Sequence, residues 1–545
     1  MNKFFLVLLI LLLPAIGPLF QKGYFTMHDD LQAARQLEMN KCFADGQIPC
    51  RWVPDMGYGF GYPLFNYYPP LPYLLGVPFH YLGFQNIDIV KIVGILGFVV
   101  CALGMFLLGR EFWGSKGGLL SSVLYTYAPY HSVDFYVRGA MNEFWAMALF
   151  PYIFWLSYKL ISGSSKFRYL PWLSVSVALL MLSHNPILMI FSPVLVIWCL
   201  FWVWRTKSPA SFGPLILSAV WAFGLAAFFT LPVLFEQKFA HIESLVEGYF
   251  NFLAHFVPLN RIFFIINWGY GASNLGQTDH LSFNLGYLQW LIPLLVGLLI
   301  IFSRSVRQHK YLIILMLTIS LTAIFMTHSR STPIWLKITP LEYLQFPWRF
   351  LALAVFSAAF IAGCFSLVAG KWLPLLLFFT LILNAGYFHP DKWFPGMSDA
   401  QKFSGNSWRL QITGSIFDYL PIYAPLPPVN PPGSDLGITG GTGTYTRIKK
   451  TSDYQQYSLN IASSSAVVEL QTFYFPGWRV WLDGKRVAVD PARDPLLGRM
   501  QIDVSRGDHL LTAVFGNTPV RTAGDLLSLL SWLALPAIPI LRRYL

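Results

Sequence analysis

Charge is scarce in this chain. Asp, Glu, Lys and Arg supply 12% of its 545 residues, where a soluble domain carries about a quarter. A soluble fold of this length could not cover its surface with so few charges. Disorder is excluded from the other side. The apolar share is 55% and mean hydropathy is +0.52, whereas a chain stays disordered when it has too little apolar surface to collapse. Cysteine is rare too, with five residues. Cys101, Cys199 and Cys364 fall in apolar segments and read as small core residues. Cys42 and Cys50 share one polar stretch. No CxxC, HExxH or clustered Cys/His spacing points to zinc. There is no internal repeat and no low-complexity tract. What remains is an integral membrane protein.

Aromatics are plentiful at 17%, with 19 Trp, 27 Tyr and 47 Phe. That suits many crossings, because Trp and Tyr gather at membrane interfaces. The net charge is 38 minus 26, or +12. In a soluble chain it would suggest nucleic acid. Here the basic residues lie between apolar runs and report topology, so no nucleic-acid partner is expected.

A spanning helix needs about 20 mostly apolar residues. The first run covers 4–20. It exceeds the roughly 7–15 residues of a signal-peptide core, and no small-x-small site follows, so a retained helix is expected. Further runs lie at about 88–108, 119–135, 142–158, 169–184, 187–204, 212–235, 286–303, 311–327, 350–369, 372–389 and 523–541. With Lys3 cytoplasmic, so are the turns carrying Arg110 and Lys116, then Lys159, Lys166 and Arg168, then Arg205 and Lys207. Arg304, Arg307 and Lys310 follow, then Lys371, and finally Arg542 and Arg543. Every even-numbered connection is short and basic, which satisfies the positive-inside rule. The expectation is an α-helical polytopic membrane protein of about 12 transmembrane helices with both termini cytoplasmic. Its outer loops would be 21–87, 236–285 and 328–349, within a membrane domain at 1–394. Segment 395–520 reads as a small extracytoplasmic β-sandwich. Turn-rich sequence opens it, alternating runs follow at 466–474, 478–482, 501–504 and 509–515, and Asp483-Gly484 is a hairpin signal. Segment 521–545 would be a last helix and tail.

Most carboxylates and histidines fall in outer loops or at outer helix ends, which favours a site at the outer surface. The first outer loop places His28, Asp29 and Asp30 side by side just past the first helix. Adjacent carboxylates raise each other's pKa, and one can serve as a general base near neutrality. The plainer role is to cap the helix beginning at Leu31, but a cap needs only one of the two. Arg138 and Glu143 form either a loop-holding ion pair or a substrate contact. Arg349 follows Phe346-Pro-Trp348, and bidentate phosphate binding and interfacial anchoring are both open to it. His184 lies in a tight outer turn, and a lone histidine is more often structural. The aromatics around Tyr62 and Tyr67 suit sugar or prenyl stacking, or an interfacial belt.

These residues also carry a resemblance. His28-Asp29, Asp45-Gly-Gln-Ile-Pro-Cys-Arg-Trp52 and Gly61-Tyr-Pro-Leu-Phe-Asn-Tyr-Tyr-Pro-Pro-Leu71 resemble a bacterial multispanning family. It is labelled the 6-pyruvoyl-tetrahydropterin synthase-related membrane domain, and it looks like a branch of the GT-C glycosyltransferases. Tyr136-Val-Arg138-Gly-Ala-Met-Asn-Glu143, Ser183-His184-Asn185 and Gln345-Phe-Pro-Trp-Arg349-Phe fit as well. So does 465–484 with Phe473-Tyr-Phe-Pro-Gly-Trp478, which resembles the outer β-domain of related large membrane proteins. A pterin synthase needs a zinc site of several histidines, and nothing in the sequence supplies one. The resemblance implies a bacterial inner-membrane glycosyltransferase with a polyprenyl-phosphate sugar donor and a glycan, lipid or protein acceptor. It puts the catalytic role on Asp29, with Asp30 as the alternative. His28, Arg138, Glu143, His184, Arg349, Tyr62 and Tyr67 become substrate-binding candidates. It leaves open a divalent metal on Asp29 and Asp30. Cys42 and Cys50, both on the outer side, are expected to pair in an oxidising compartment. The rival readings are a lipid or polysaccharide transporter and a non-catalytic membrane scaffold. A transporter would show charges deep in its helices or matching broken helices in two halves, and neither is evident.

Overall fold

The computed structural model describes residues 3–163, 166–265, 268–273, 281–414 and 416–537. Arg542, Arg543 and the end of the last expected span lie outside the described residues, as do 266–267 and 274–280 of the 236–285 loop.

The apolar runs become helices because a chain in hydrocarbon must satisfy its own backbone groups. α1 (Lys3–Ile16) is prolonged by a 3₁₀ turn to Phe20. α2 (Gln32–Asp45) follows in the first outer loop. α3 (Asn86–Thr126) is interrupted at Gly114, whose φ of 70° and ψ of 179° no helix contains. Its halves fold back on each other, since Ser122 Oγ donates to Ala102 O at 2.6 Å. The expected cytoplasmic turn between Arg110 and Lys116 is this break. α4 (Met141–Ser162), α5 (Asn185–Thr206) and the bent partner α6 (Ala227–Phe235) continue the bundle. Segment Pro347–Tyr387 also doubles back. Trp113 Nε1 donates to Phe360 O beside the Gly114 break of α3, and Asn384 Nδ2 to Tyr127 O just past its C-terminus.

Among the described residues, six helices are long and apolar enough to cross a membrane. There are up to seven if Pro209–Leu225 and Ala227–Phe235, bent by 80°, form one span. The expected count of about 12 is not reproduced, for three reasons. Asn86–Thr126 and Pro347–Tyr387 each join two expected runs. Phe167–Met181 and Tyr287–Phe302 are too short to qualify. The last run coincides with α7 (Pro519–Ala534), which opens with polar residues and passes toward residues not described. Leu200 and Trp204 of α5, with Leu298, Ile301 and Phe302, expose large apolar side chains, as a lipid-facing surface requires.

Two strands flank the cavity side of the bundle: β1 (Tyr24–Phe25) pairs with β2 (Trp393–Phe394). The other six are β3 (Leu436–Thr439), β4 (Gly443–Lys450), β5 (Tyr454–Phe473), β6 (Trp478–Leu482), β7 (Lys485–Val487) and β8 (Arg499–Phe515). They form one antiparallel sheet in the order β3-β5-β8-β6-β7, with β4 also on β5. The expected sandwich is corrected to this single sheet. β5 and β8 run 20 and 17 residues and pair from Tyr454 to Phe473 with register shifts after Ile461 and Leu470, and β3 and β4 share the other edge of β5 instead of starting a second sheet. Asp483 and Gly484 make the β6–β7 turn, with φ of 51° and 76°.

The sheet does not stand apart from the first outer loop. Trp52 lies 5.7 Å from Trp478 and 5.5 Å from Phe515, and Phe60 stacks on Phe473 at 5.3 Å. Phe473 N donates to Phe60 O. A buried ion pair ties α7 to the end of α6. Arg521 Nε meets Glu236 Oε2 at 2.8 Å, and Asn66 of the first loop donates to the same oxygen at 3.1 Å.

Candidate functional site

Backbone pairing sets residues 28 and 29. Just past β1, His28 N donates to Val137 O at 2.8 Å and Asp29 N to Arg138 O at 2.9 Å. Gly139 permits this approach. Its φ is +71°, and a Cβ there would meet Met27 Sδ at 2.3 Å and Asp29 O at 3.0 Å. The first-loop carboxylates and the Arg138 segment, remote in sequence, therefore share one wall.

Neither carboxylate caps α2, whose N-cap is Leu31 without a side-chain hydrogen bond. Each meets a cation instead. Asp29 Oδ2 accepts from Arg35 Nη1 at 3.0 Å. Its Oδ1 has no partner among the described residues, and the side chain is 36% exposed. Asp30 Oδ2 accepts from Lys402 Nζ at 2.5 Å, and Oδ1 is buried with no partner among the described residues. Burial raises the Asp30 pKa above the ordinary carboxyl range, against the pull of Lys402. Burial lowers the His28 pKa, opposed by Asp29 and aided by Arg138, so the ring is neutral at pH 7.

A second cluster faces them. Arg138 Nη1 meets Asp134 Oδ1 at 2.5 Å and Glu143 Oε2 at 3.0 Å. Arg349 Nε reaches the same Glu143 oxygen at 3.3 Å, and Tyr130 OH donates to Oε1 at 2.5 Å. Arg349 Nη1 donates to Leu344 O at 2.6 Å and Gln345 Oε1 at 3.0 Å. Arg138 lies over the Trp348 ring at 4.4 Å. Two arginines and two carboxylates thus share one buried cluster. The Nη2 groups of Arg138 and Arg349 make no hydrogen bond among the described residues.

Both clusters line one cavity of about 830 Å³. His28, Asp29, Asp30, Arg138, Glu143, His184, Arg349 and Tyr67 all line it. His184 also caps α5, its Nδ1 accepting from Ile187 N at 3.2 Å. Tyr67 donates to Glu236 O at 2.7 Å and stacks on Tyr419. Tyr62 is not in the lining. It is buried under the sheet side, pairing with Val53 and accepting from Tyr419 N, because the 57–61 turn carries it inward. A buried disulfide joins Cys42 in the last turns of α2 to Cys50 in the segment that follows. Among the described residues no group of three or more His, Cys, Asp and Glu could hold a metal ion. Asp29 and Asp30 are each turned to a cation, so the residues present do not fit a divalent metal.

Sequence reasoning missed Arg35, Trp348 and Lys402 as site residues, whereas Tyr68 is one of the aromatics around Tyr67 that it offered for stacking. Lys402 had no signal. Arg35 had one: Gln32, Arg35 and Gln36 form a polar stripe on α2, and all three are buried.

A family model described as "6-pyruvoyl-tetrahydropterin synthase related domain; membrane protein" matches residues 65–386. An uncharacterized protein of Lactococcus lactis subsp. cremoris (strain MG1363) is 25% identical over 260 residues, 46% of this chain and 41% of that protein. Among solved structures, the Archaeoglobus fulgidus oligosaccharyltransferase tethered with an acceptor peptide is 13% identical with a TM-score of 0.44, covering 72% of this chain and 56% of that one. Arabinofuranosyltransferase AftD from Mycobacteria is 16% identical with a TM-score of 0.42, covering 73% and 28%. The chain thus spans well under two thirds of each of these proteins. The family match takes in more than half of the chain, which belongs to the 6-pyruvoyl-tetrahydropterin synthase related family of membrane proteins.

Proposed function

We propose that this chain is a membrane glycosyltransferase that moves a sugar from a polyprenyl-phosphate-linked donor to a glycan, lipid or protein acceptor. One observation carries the reading: Asp29, whose Oδ1 has no partner among the described residues, lines one cavity together with Arg138 and Arg349, whose Nη2 groups have none there either. The acceptor hydroxyl attacks the anomeric carbon and passes its proton to Asp29 Oδ1. The bond from that carbon to the phosphate oxygen breaks, and the electron pair leaves on the lipid phosphate. The displacement inverts the anomeric centre. Arg138 and Arg349 hold the phosphate as its charge grows, with Trp348 stacked beneath Arg138. Asp29 is the better base. Asp30 has one oxygen on Lys402 and the other sealed from the cavity. Glu143 and His184 shape the arginine side, His28 adjoins the base, and Tyr67 offers a wall for sugar or prenyl groups.

The same reading puts the cavity on the extracytoplasmic face of a bacterial inner membrane, with the basic turns and both termini in the cytoplasm. The membrane domain is 1–394 and the outer β-rich domain 395–520. The test is a comparison of lipid-linked sugars and glycans in cells with and without the gene. Loss should build up a polyprenyl-phosphate sugar and strip that sugar from one glycan, and the intact gene should reverse both. Identical profiles would overturn the reading.

A further inference from the structure

Arg35 has no part in the reaction just described, yet it is built into the site. Its side chain is 2% exposed. A guanidinium is buried only when partners compensate its lost hydration. Two polar partners are present, both on Nη1: Asp29 Oδ2 at 3.0 Å and Tyr68 OH at 2.9 Å. The Tyr68 ring faces the guanidinium at 4.3 Å, and Nε is buried without a partner. One helical turn before Arg35, Gln32 Nε2 also approaches Asp29 Oδ2, at 3.5 Å, while Tyr73 OH donates to Gln32 Oε1 at 2.5 Å.

We infer that Arg35 is a positioning residue that holds the Asp29 carboxylate by Oδ2 and so presents Oδ1 to the acceptor hydroxyl. The inference rests on the glycosyltransferase reading above. A base must be held by a third group if its free oxygen is to meet the substrate in one orientation. Arg35 can do this because α2 is fixed by its own burial, whereas Asp29 lies in a loop before it. The guanidinium does not touch the reacting atoms. Burial disfavours its charge, but Asp29, Tyr68 and Tyr73 outweigh this and keep it protonated. Asp30 with its partner Lys402, the neutral His28 and Arg138 are the other titratable groups around Asp29.

The test is a double-mutant cycle on the purified full chain in lipid vesicles, with a labelled polyprenyl-phosphate sugar. Arg35→Gln should lower kcat by about 10–100-fold, the scale of a misplaced catalytic group, with KM for donor and acceptor little changed. Asp29→Asn should then cost much less in the Arg35→Gln background than in the wild type, because the two act as one unit. Arg35→Lys should recover only part of the loss, since it restores charge without the planar fork. Tyr68→Phe removes one hydroxyl that steadies the guanidinium and should reduce kcat several-fold. It serves as the test if Arg35→Gln fails to reach the membrane. Additive losses in the cycle, or full kcat in Tyr68→Phe where Arg35→Gln cannot be made, would overturn the role of Arg35 and leave the glycosyltransferase reading standing. A wild-type chain that transfers no sugar would overturn both.

Discussion

Asp29 and Asp30 are adjacent, yet one meets a cation close by in the chain and the other a cation far along it. Arg35 lies six residues after Asp29, and Lys402 lies 372 residues after Asp30. A sequence can propose the pair but cannot divide the labour, because the division depends on a contact that only the fold creates. The same limit applies to Arg349. Its place after Phe346-Pro-Trp348 left an anchor and a phosphate ligand equally open. The structure has it buried, with Nε on Glu143 and Nη1 on the Leu344 carbonyl, so it is not an arm reaching for headgroups. Arg349→Lys keeps the charge but cannot serve Glu143, Leu344 and a phosphate at once. Donor affinity should fall by about 1–3 kcal/mol, the worth of a charged hydrogen bond. Titration of the purified variant with a polyprenyl-phosphate sugar checks this, and unchanged affinity would leave the phosphate without its assigned ligand.

Among elements, the legible features were those set by local chemistry. Asp483-Gly484 makes its hairpin because both residues tolerate positive φ. The helical runs follow from apolar length alone. Cys42 and Cys50 lie eight residues apart in one loop, close enough to be read as a pair. What the sequence did not disclose were joins and registers. The expected strands 501–504 and 509–515 are one strand, because Ser505, Gly507 and Asp508 continue the ladder across a register shift at Arg506. The 137–139 segment shows the same limit, since Gly139 has no local reason to be glycine until Met27 and Asp29 are packed against it. Gly139→Ala would need a left-handed backbone that costs an L-residue about 1–2 kcal/mol. It would also drive a methyl into Met27. The variant should remain in the membrane but push Asp29 away from Arg138, and a shift of about 1 Å can cost 10²-fold in rate. Transfer measured against protein level tests this, and normal turnover would mean that the pairing does not position the base.

On the scale of the whole molecule, the bundle, the first outer loop and the sheet form a continuous body. Trp52 and Phe60 enter the sheet core, while Asn66 and Arg521 converge on Glu236. The cavity is walled by residues 28–35, 138–143 and 343–349, with Ser407, Leu410, Gln411, Gly414, Asp418 and Tyr419 on the side of the chain that leads to the sheet. Composition was enough to recognise a membrane protein. The span count was not readable, because a long apolar stretch can be one helix or two that double back at a break such as Gly114. The account stands on Asp29 as the base of a sugar transfer. The most direct measurement is the single-turnover rate of transfer from a labelled polyprenyl-phosphate sugar by the purified wild type, Asp29→Asn and Asp30→Asn at equal protein level. Asp29→Asn should lose about 10²–10⁴-fold, the usual worth of general-base assistance, while Asp30→Asn retains most of the rate. Full transfer by Asp29→Asn, or a loss confined to Asp30→Asn, would contradict it.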